Sequence, residues 1–106
     1  MAENRRLFVV RDEAPPIDAE PLWREVLGER LRELRRQHRE TLAETSSRAG
    51  ISPQYLSEIE RGRKEPSSEM IAALAGALGT SLAGLTQQVA RDLRAAAAPS
   101  VQLLAA

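Results

Sequence analysis

The chain has 106 residues with 15 Lys or Arg and 15 Asp or Glu, so its formal net charge at pH 7 is zero. This length suits one small domain and leaves little room for a catalytic cleft. Aromatic residues make up only 3% of the chain, and a core built from Leu, Ile, Val and Ala favours packed helices over a sheet.

The charge is unevenly distributed. Residues 24–64 hold ten Lys or Arg and seven Asp or Glu, whereas residues 1–20 hold three Arg and five acidic residues. The middle of the chain is therefore mildly basic. Its excess of positive charge is small for a protein that binds nucleic acid. Nonspecific affinity is expected to be weak and sensitive to salt.

Residue types that carry catalytic or metal chemistry are scarce. The chain has no cysteine, and His38 is its only histidine. This excludes disulfides, thiolate chemistry and a conventional His/Cys metal site, and it is consistent with the cytoplasm. Neither a nucleophile–base pair nor a phosphate-binding glycine loop is visible, so we expect no enzyme activity, metal or cofactor.

Residues 1–20 are predicted to form a flexible N-terminal arm. Their apolar run, residues 7–10, is far too short for a signal peptide. The run could instead be an edge strand or a docking segment, but the acidic pair and two prolines that follow favour the arm.

The first predicted helix begins near residues 20–21 and ends at about His38. Five apolar residues recur at helical spacing and would form its buried stripe: Leu22, Val26, Leu27, Leu31 and Leu34. Trp23 lies outside this stripe and could cover a partner or the C-terminal helix.

Residues 41–62, TLAETSSRAGISPQYLSEIERG, look like a helix-turn-helix. Thr41 and Glu44 form a capping box that begins a short helix, and Gly50 ends it. Ser52 then caps a second helix with proline at its first position, and Gly62 stops that helix after Arg61. Two short helices joined by a glycine turn have the spacing of the motif whose second helix enters the major groove of DNA.

The second helix of this motif has two distinct faces. Helical spacing places Leu56, Ile59 and Glu60 on the face that packs. The other face, which could contact DNA, carries Gln54, Ser57, Glu58 and Arg61. The cations Arg61, Arg63 and Lys64 would suit phosphate contacts. Two alternatives remain: a solvated charge run, and a plain helical hairpin of the kind common in all-α proteins.

Two further helices are predicted after the motif. Ser67 caps one with apolar positions Ile71, Leu74, Ala75 and Leu78, and Gly79 ends it. Ser81 begins the other, which carries Leu82, Leu85, Val89 and Leu93 and continues to Ala98 before Pro99. No charge occurs between Glu69 and Arg91, but the glycines and polar residues inside this stretch favour two capped core helices over a membrane span.

The last helix suggests a pairing surface. A domain that reads half a site gains affinity by pairing, so Leu85, Val89 and Leu93 are the candidate dimer surface. The alternative, that this helix only covers its own domain, carries equal weight.

Four motifs in order give a specific resemblance. Residues 27–35 (LGERLRELR), 49–52 (AGIS), 55–62 (YLSEIERG) and 66–78 (PSSEMIAALAGAL) resemble the Xre/Cro phage-repressor-type family over residues 27–85. Arg63-Lys64-Glu65 and the Ser67-Ser68-Glu69 that follows narrow the resemblance to actinobacterial regulators of Clp protease genes. The fold implied is an all-α, five-helix repressor-like domain with an extended C-terminal helix and flexible tails.

The resemblance also implies roles for residues. Arg35 and Glu60 would form a structural ion pair between helices. The base-reading positions would be Pro53, Gln54, Ser57 and Glu58, and the DNA-backbone positions Tyr55, Arg61, Arg63 and Lys64. Two positions depart from the family pattern: Leu42 stands where a phosphate-binding Gln is usual, and Thr45 stands where Leu is usual.

The chain ends in a candidate degradation signal. Leu103, Leu104, Ala105 and Ala106 resemble the Leu-Ala-Ala ending of the tag that marks proteins for Clp degradation, and a disordered approach after Pro99 would expose them. Two terminal alanines also occur by chance.

Together these features predict three segments: an arm (1–20), a helix-turn-helix domain (21–86) and a C-terminal extension with a tail (87–106). The expected function is a sequence-specific DNA-binding transcription regulator that acts as a homodimer in the cytoplasm, at the nucleoid, away from membranes. It would control Clp protease genes and be degraded by Clp protease through its terminal Ala-Ala. The alternative is an antitoxin-type protein-interaction module of the same fold.

Overall fold

The computed structural model describes residues 22–97. Within that range it contains five helices and no strand: α1 (Trp23–Gln37), α2 (Leu42–Ala49), α3 (Pro53–Glu60), α4 (Ser68–Ala77) and α5 (Leu82–Ala97). The predicted all-α, five-helix architecture is confirmed. The predicted arm, the end of the last helix at Pro99 and the candidate degradation signal lie outside the described residues.

Hydroxyl side chains begin four of the helices, as the sequence predicts, and at α5 Ser81 Oγ accepts from Gly84 N at 3.0 Å. The Oγ atoms of Thr41, Ser52 and Ser67 each accept a hydrogen bond from the backbone N–H three residues later, at 3.1, 3.0 and 3.2 Å. Each bond satisfies an N–H that has no partner within the helix. These local bonds fix where α2, α3 and α4 begin.

Helix α1 begins differently from the prediction. Leu22 is its N-cap and has no hydroxyl to offer, so Glu25 Oε1 accepts from the backbone N–H of Leu22 at 2.9 Å. The Leu22 side chain therefore lies ahead of the helix and is 41% exposed. Its assignment to the buried stripe was wrong, whereas the other four members of that stripe are buried.

Helix ends are closed by residues in the left-handed region. Gly50, Gly62 and Gly79 have φ of 79°, 77° and 79°. After each glycine the next backbone N–H reaches back to a helix carbonyl, for example Ile51 N to Ser46 O at 3.0 Å. This is the bonding pattern of a Schellman cap, which requires a positive φ at the turn residue.

The core is formed where α1 packs on α3 and α5, α2 packs on α3 and α4, and α4 packs on α5. Its buried side chains are aliphatic: Val26, Leu27, Leu31, Leu34, Leu56, Ile59, Ile71, Leu74, Ala75, Leu78, Leu85 and Val89. Trp23 is half-buried and packs against this cluster.

The candidate dimer surface is largely contradicted. Leu85 and Val89 are fully buried, because α5 turns its apolar stripe onto α1 and α4 of its own chain. Only Leu93 is partly exposed. The stripe therefore covers its own domain, which is the alternative that the sequence left open.

Between residues 22 and 97, no single helix is long and apolar enough to cross a bilayer; α4 and α5 reach that threshold only as a pair bent by 97°.

Candidate nucleic-acid interface

Helix α3 turns its polar side outward. Leu56 and Ile59 are buried in the core, while Pro53, Gln54 and Arg61 are exposed. Ser57 and Glu58 are half-buried on the same outward side. All four predicted base-reading residues thus lie at or near the surface of α3, where a DNA groove could reach them.

The structure brings Arg35 and Glu60 together. Arg35 Nε donates to Glu60 Oε2 at 2.7 Å and the Arg35 Nη2 group donates to Oε1 at 3.0 Å, a bidentate pair between α1 and α3. The side chains are only 14% and 6% exposed. Hydrogen bonding to Glu60 raises the pKa of the Arg35 guanidinium above its ordinary value, against the lowering effect of burial.

The close packing of α1 on α3 depends on Gly28. A Cβ atom at this position would lie 2.3 Å from Ile59 O and 2.7 Å from Glu60 O. One helical turn earlier, Arg24 Nε donates to Gly62 O at 3.0 Å. Helix α1 therefore holds the C-terminal end of α3 in place, so the direction in which α3 projects is fixed.

The predicted backbone-contact residues divide into two groups. Arg61, Arg63 and Lys64 are exposed and form no ion pair with other residues in the described range. Tyr55 is half-buried and packs against the core. The cations are available for phosphate contacts, whereas much of the Tyr55 ring is committed to packing.

Glu40 is a structural residue that the sequence analysis missed. Its Oε1 accepts a 2.6 Å hydrogen bond from Thr45 Oγ1, and its Oε2 lies 2.5 Å from Arg48 Nη1. Its backbone carbonyl accepts from Arg35 Nη1 at 2.9 Å. Arg48 also donates to Ala77 O. The network connects α1, α2 and α4, and the unusual Thr45 was the only signal of it in the sequence.

A second bidentate pair links the first and last helices. Arg30 Nε and Nη2 donate to Asp92 Oδ2 and Oδ1 at 2.7 and 2.8 Å. This hydrogen bonding raises the pKa of Arg30 above its ordinary value. The side chains are 26% and 32% exposed, so solvent screens this pair more than the Arg35–Glu60 pair.

No group of His, Asp or Glu side chains between residues 22 and 97 is arranged to hold a metal ion. The outward side of α3 is thus a surface of hydrogen-bonding groups and cations. Its chemistry suits the recognition of base edges and phosphates.

Comparison with known proteins identifies the family. A family model described as helix-turn-helix (HTH_3) matches residues 31–85, a little over half of the chain. The chain belongs to this helix-turn-helix family. The matched segment of the helix-turn-helix chain runs from the middle of α1 into α5 and includes all of α2, α3 and α4.

Relatives of this helix-turn-helix chain include regulators of clp genes. The transcriptional regulator ClgR of Mycobacterium tuberculosis is 56% identical over 57 residues, which are 54% of this chain and 51% of that protein. The chain therefore spans about half the length of the curated relatives that it matches first.

Solved structures extend the similarity. The clp gene regulator ClgR from Corynebacterium glutamicum has a TM-score of 0.72 and 43% identity, covering 81% of this chain and 92% of that one. The restriction-modification controller protein C.AhdI from Aeromonas hydrophila has a TM-score of 0.57 and 31% identity, covering 58% and 94%. The predicted resemblance to the Xre/Cro type, and more narrowly to Clp gene regulators, is confirmed.

Proposed function

We propose that this chain is a sequence-specific DNA-binding transcription regulator that inserts α3 into the major groove of an operator. The observation that carries the proposal is the orientation of α3: its apolar side is anchored in the core, and its polar side is exposed. Three exposed cations, Arg61, Arg63 and Lys64, follow this helix and could bind phosphates.

Base reading is assigned to the outward residues of α3. Gln54 can form two hydrogen bonds with adenine, and Glu58 can accept one from the amino group of cytosine. Pro53 can offer only an apolar contact, to a thymine methyl group. Ser57 can donate to or accept from either kind of base. This assignment rests on exposure and on position in the first two turns of the helix.

The regulated genes are proposed to include those of Clp protease. The relatives in Mycobacterium tuberculosis and Corynebacterium glutamicum support this, since the second is a clp gene regulator. The terminal Ala105 and Ala106 would then make the regulator a substrate of the protease that it controls. Deleting both alanines should lengthen its half-life in cells; an unchanged half-life would rule out the signal.

We further propose that the chain acts as a homodimer on DNA in the cytoplasm. Two-fold symmetry would place two α3 helices about 34 Å apart, one turn of DNA. Leu85 and Val89 cannot form the interface because they are buried, so it must use other exposed surface, to which Leu93 can contribute.

Selection of binding sites from random duplex DNA with the full chain tests the proposal. Enrichment of a two-fold symmetric sequence, with half-sites about one helical turn apart, is the expected result. Failure to enrich any sequence at low salt would overturn it. Co-purification of a small partner protein without such enrichment would favour the antitoxin-type alternative.

A further inference from the structure

A groove of about 1030 Å³ runs along α1. We call it the α1–α3 groove. Arg36 in the last turn of α1, Leu42 in the first turn of α2, Ser57 of α3 and Arg61 at the end of α3 line it, and three glutamates of α1 line it as well: Glu25, Glu29 and Glu33. A residue of α1 that no DNA-contact prediction includes, Arg36, thus shares one concave surface with two outward residues of α3.

The arginines of this groove differ in what they bind. Arg30 is held by Asp92, and Arg35 is held by Glu60, each through two hydrogen bonds. Arg32, Arg36 and Arg61 are exposed and form no ion pair within residues 22–97, and of the two on α1 only Arg36 lies in the last turn, next to the start of α2. Adjacent arginines on α1 therefore divide their roles, because Arg35 points to a buried carboxylate and Arg36 remains available to an external anion.

A helix in the major groove has a sugar-phosphate strand on each side of it, because the groove is bounded by both strands. Arg63 and Lys64 follow Gly62 and do not line the α1–α3 groove, whereas Arg61 does. Of these three cations, Arg61 is therefore the one that faces the groove. A second cation there would strengthen binding to the DNA strand on that side.

The first turn of α2 cannot supply that cation. Leu42 is apolar and packs against the core. Ala43 has no polar side chain, and Glu44 is an acid whose carboxylate accepts from Thr41 N at 2.9 Å. Arg48, the cation of the last turn of α2, is engaged by Glu40 and by Ala77 O. Arg36 lies in the last turn of α1 and lines the groove together with Leu42, so it is a positive charge available on this side.

We propose that Arg36 and Arg61 bind the phosphates of the DNA strand that faces the α1–α3 groove. This inference rests on the proposed DNA-binding function. The contact is electrostatic, so it strengthens binding to every duplex equally and contributes to register rather than to base choice.

The test measures the salt dependence of DNA binding by the full chain with Arg36→Ala, Arg36→Lys and Arg91→Ala. Arg91 is an exposed arginine of α5 that does not line the groove, so Arg91→Ala controls for loss of charge alone. Fluorescence anisotropy with a selected duplex and a scrambled duplex of equal length gives Kd at several salt concentrations. Circular dichroism melting establishes that each variant is folded.

Arg36→Ala should lower the slope of log Kd against log salt by about 0.9 for each protomer on the DNA, the value for one lost phosphate contact. The affinity should fall by the same factor for both duplexes. Arg36→Lys should restore the slope, and Arg91→Ala should leave it unchanged.

One result would contradict the Arg36 contact alone, and another would contradict the proposed DNA-binding function. If the wild-type chain binds the selected duplex and folded Arg36→Ala keeps its slope, the Arg36 contact is wrong and the proposed function stands. If the wild-type chain binds no duplex at low salt, the proposed function fails and the Arg36 contact fails with it.

Discussion

Thr45 Oγ1 donates a 2.6 Å hydrogen bond to Glu40 Oε1, and the Thr45 side chain is fully buried. The same carboxylate lies 2.5 Å from Arg48 Nη1. A buried hydroxyl is tolerated at this position because Glu40 can satisfy it and is itself neutralised by Arg48.

Thr45→Val should destabilise the domain, because it keeps the shape of the side chain and removes the donor to Glu40. Loss of a hydrogen bond to a charged group costs about 1.5–3 kcal/mol. Urea unfolding should show a lower midpoint with an unchanged m-value. Ser46→Ala is the matched control, since buried Ser46 Oγ donates only to the neutral carbonyl of Ala43, and it should cost about 1 kcal/mol or less. Equal midpoints for Thr45→Val and wild type would show that the bond contributes nothing.

Arg35→Ala should destabilise the domain far more than Arg30→Ala. Removing Arg35 leaves the Glu60 carboxylate, 6% exposed, without its partner, at a cost of about 3–5 kcal/mol. Removing Arg30 leaves Asp92, 32% exposed, which water can solvate, so the cost should be about 1 kcal/mol or less. Thermal and urea unfolding of both variants measure the difference. Similar losses of unfolding free energy in the two variants would mean that burial does not determine how much each ion pair stabilises the fold.

The pH dependence of the Arg35–Glu60 pair follows from the raised pKa of Arg35. A group whose pKa is higher in the folded state stabilises the fold fully below its unfolded pKa, and this stability is lost as pH rises through the folded pKa. For an arginine both values lie in strong alkali. The Arg35 side of the pair should therefore contribute constant stability across neutral pH, which unfolding at pH 6 to 9 at fixed ionic strength can check.

The sequence predicts the helix boundaries because they depend on local chemistry. Thr41, Ser52 and Ser67 bond to a backbone N–H three residues away, and Gly50 and Gly62 adopt a backbone conformation that a glycine favours. These interactions span a few residues, so a sequence read in order reveals them. The start of α1 was placed too early because a leucine caps it, with only Glu25 to accept the N–H.

The sequence could not predict which element each helix face packs against. The stripe that contains Leu85 and Val89 has the same helical spacing whether it faces its own core or a second copy, and the structure puts both residues in the core. Similarly, the role of Glu40 depends on a contact across the turn between α1 and α2. Periodicity gives no information about such a contact, because it describes one helix at a time.

Gln54→Ala and Lys64→Ala should change DNA binding in different ways. Gln54 is exposed on α3, so its loss should relax the preference at one base position, by about 1–3 kcal/mol for a two-bond contact. Lys64→Ala should weaken binding to all sequences alike and flatten the salt dependence. Site selection and salt titration with each variant measure these effects. A selected sequence that is identical for wild type and Gln54→Ala would place the reading residues elsewhere on α3.

Gly28→Ala should strongly destabilise or abolish the fold. The added methyl group would lie 2.3 Å from Ile59 O, and the neighbouring atoms are backbone, so α1 and α3 would have to separate. Gly76→Ala is the matched control in α4, where an added Cβ meets nothing within 4 Å, and it should stabilise the helix by about 1 kcal/mol. Far-ultraviolet circular dichroism and thermal melting compare the two. A stable, helical Gly28→Ala protein would contradict the close packing of α1 on α3.

Arg39→Gly should stabilise the domain, because Arg39 closes α1 with a φ of 56° and is the only residue with a side chain at positive φ in the described range. The left-handed region costs a residue with a Cβ about 1–2 kcal/mol. Glycine avoids that cost but loses about 0.5–1 kcal/mol through its greater freedom in the unfolded chain. The expected net gain is about 0.5–1 kcal/mol in urea unfolding. Arg39→Ala removes the charge and keeps the Cβ, so it should bring no comparable gain; an equal gain from both variants would attribute the effect to the charge instead of the backbone.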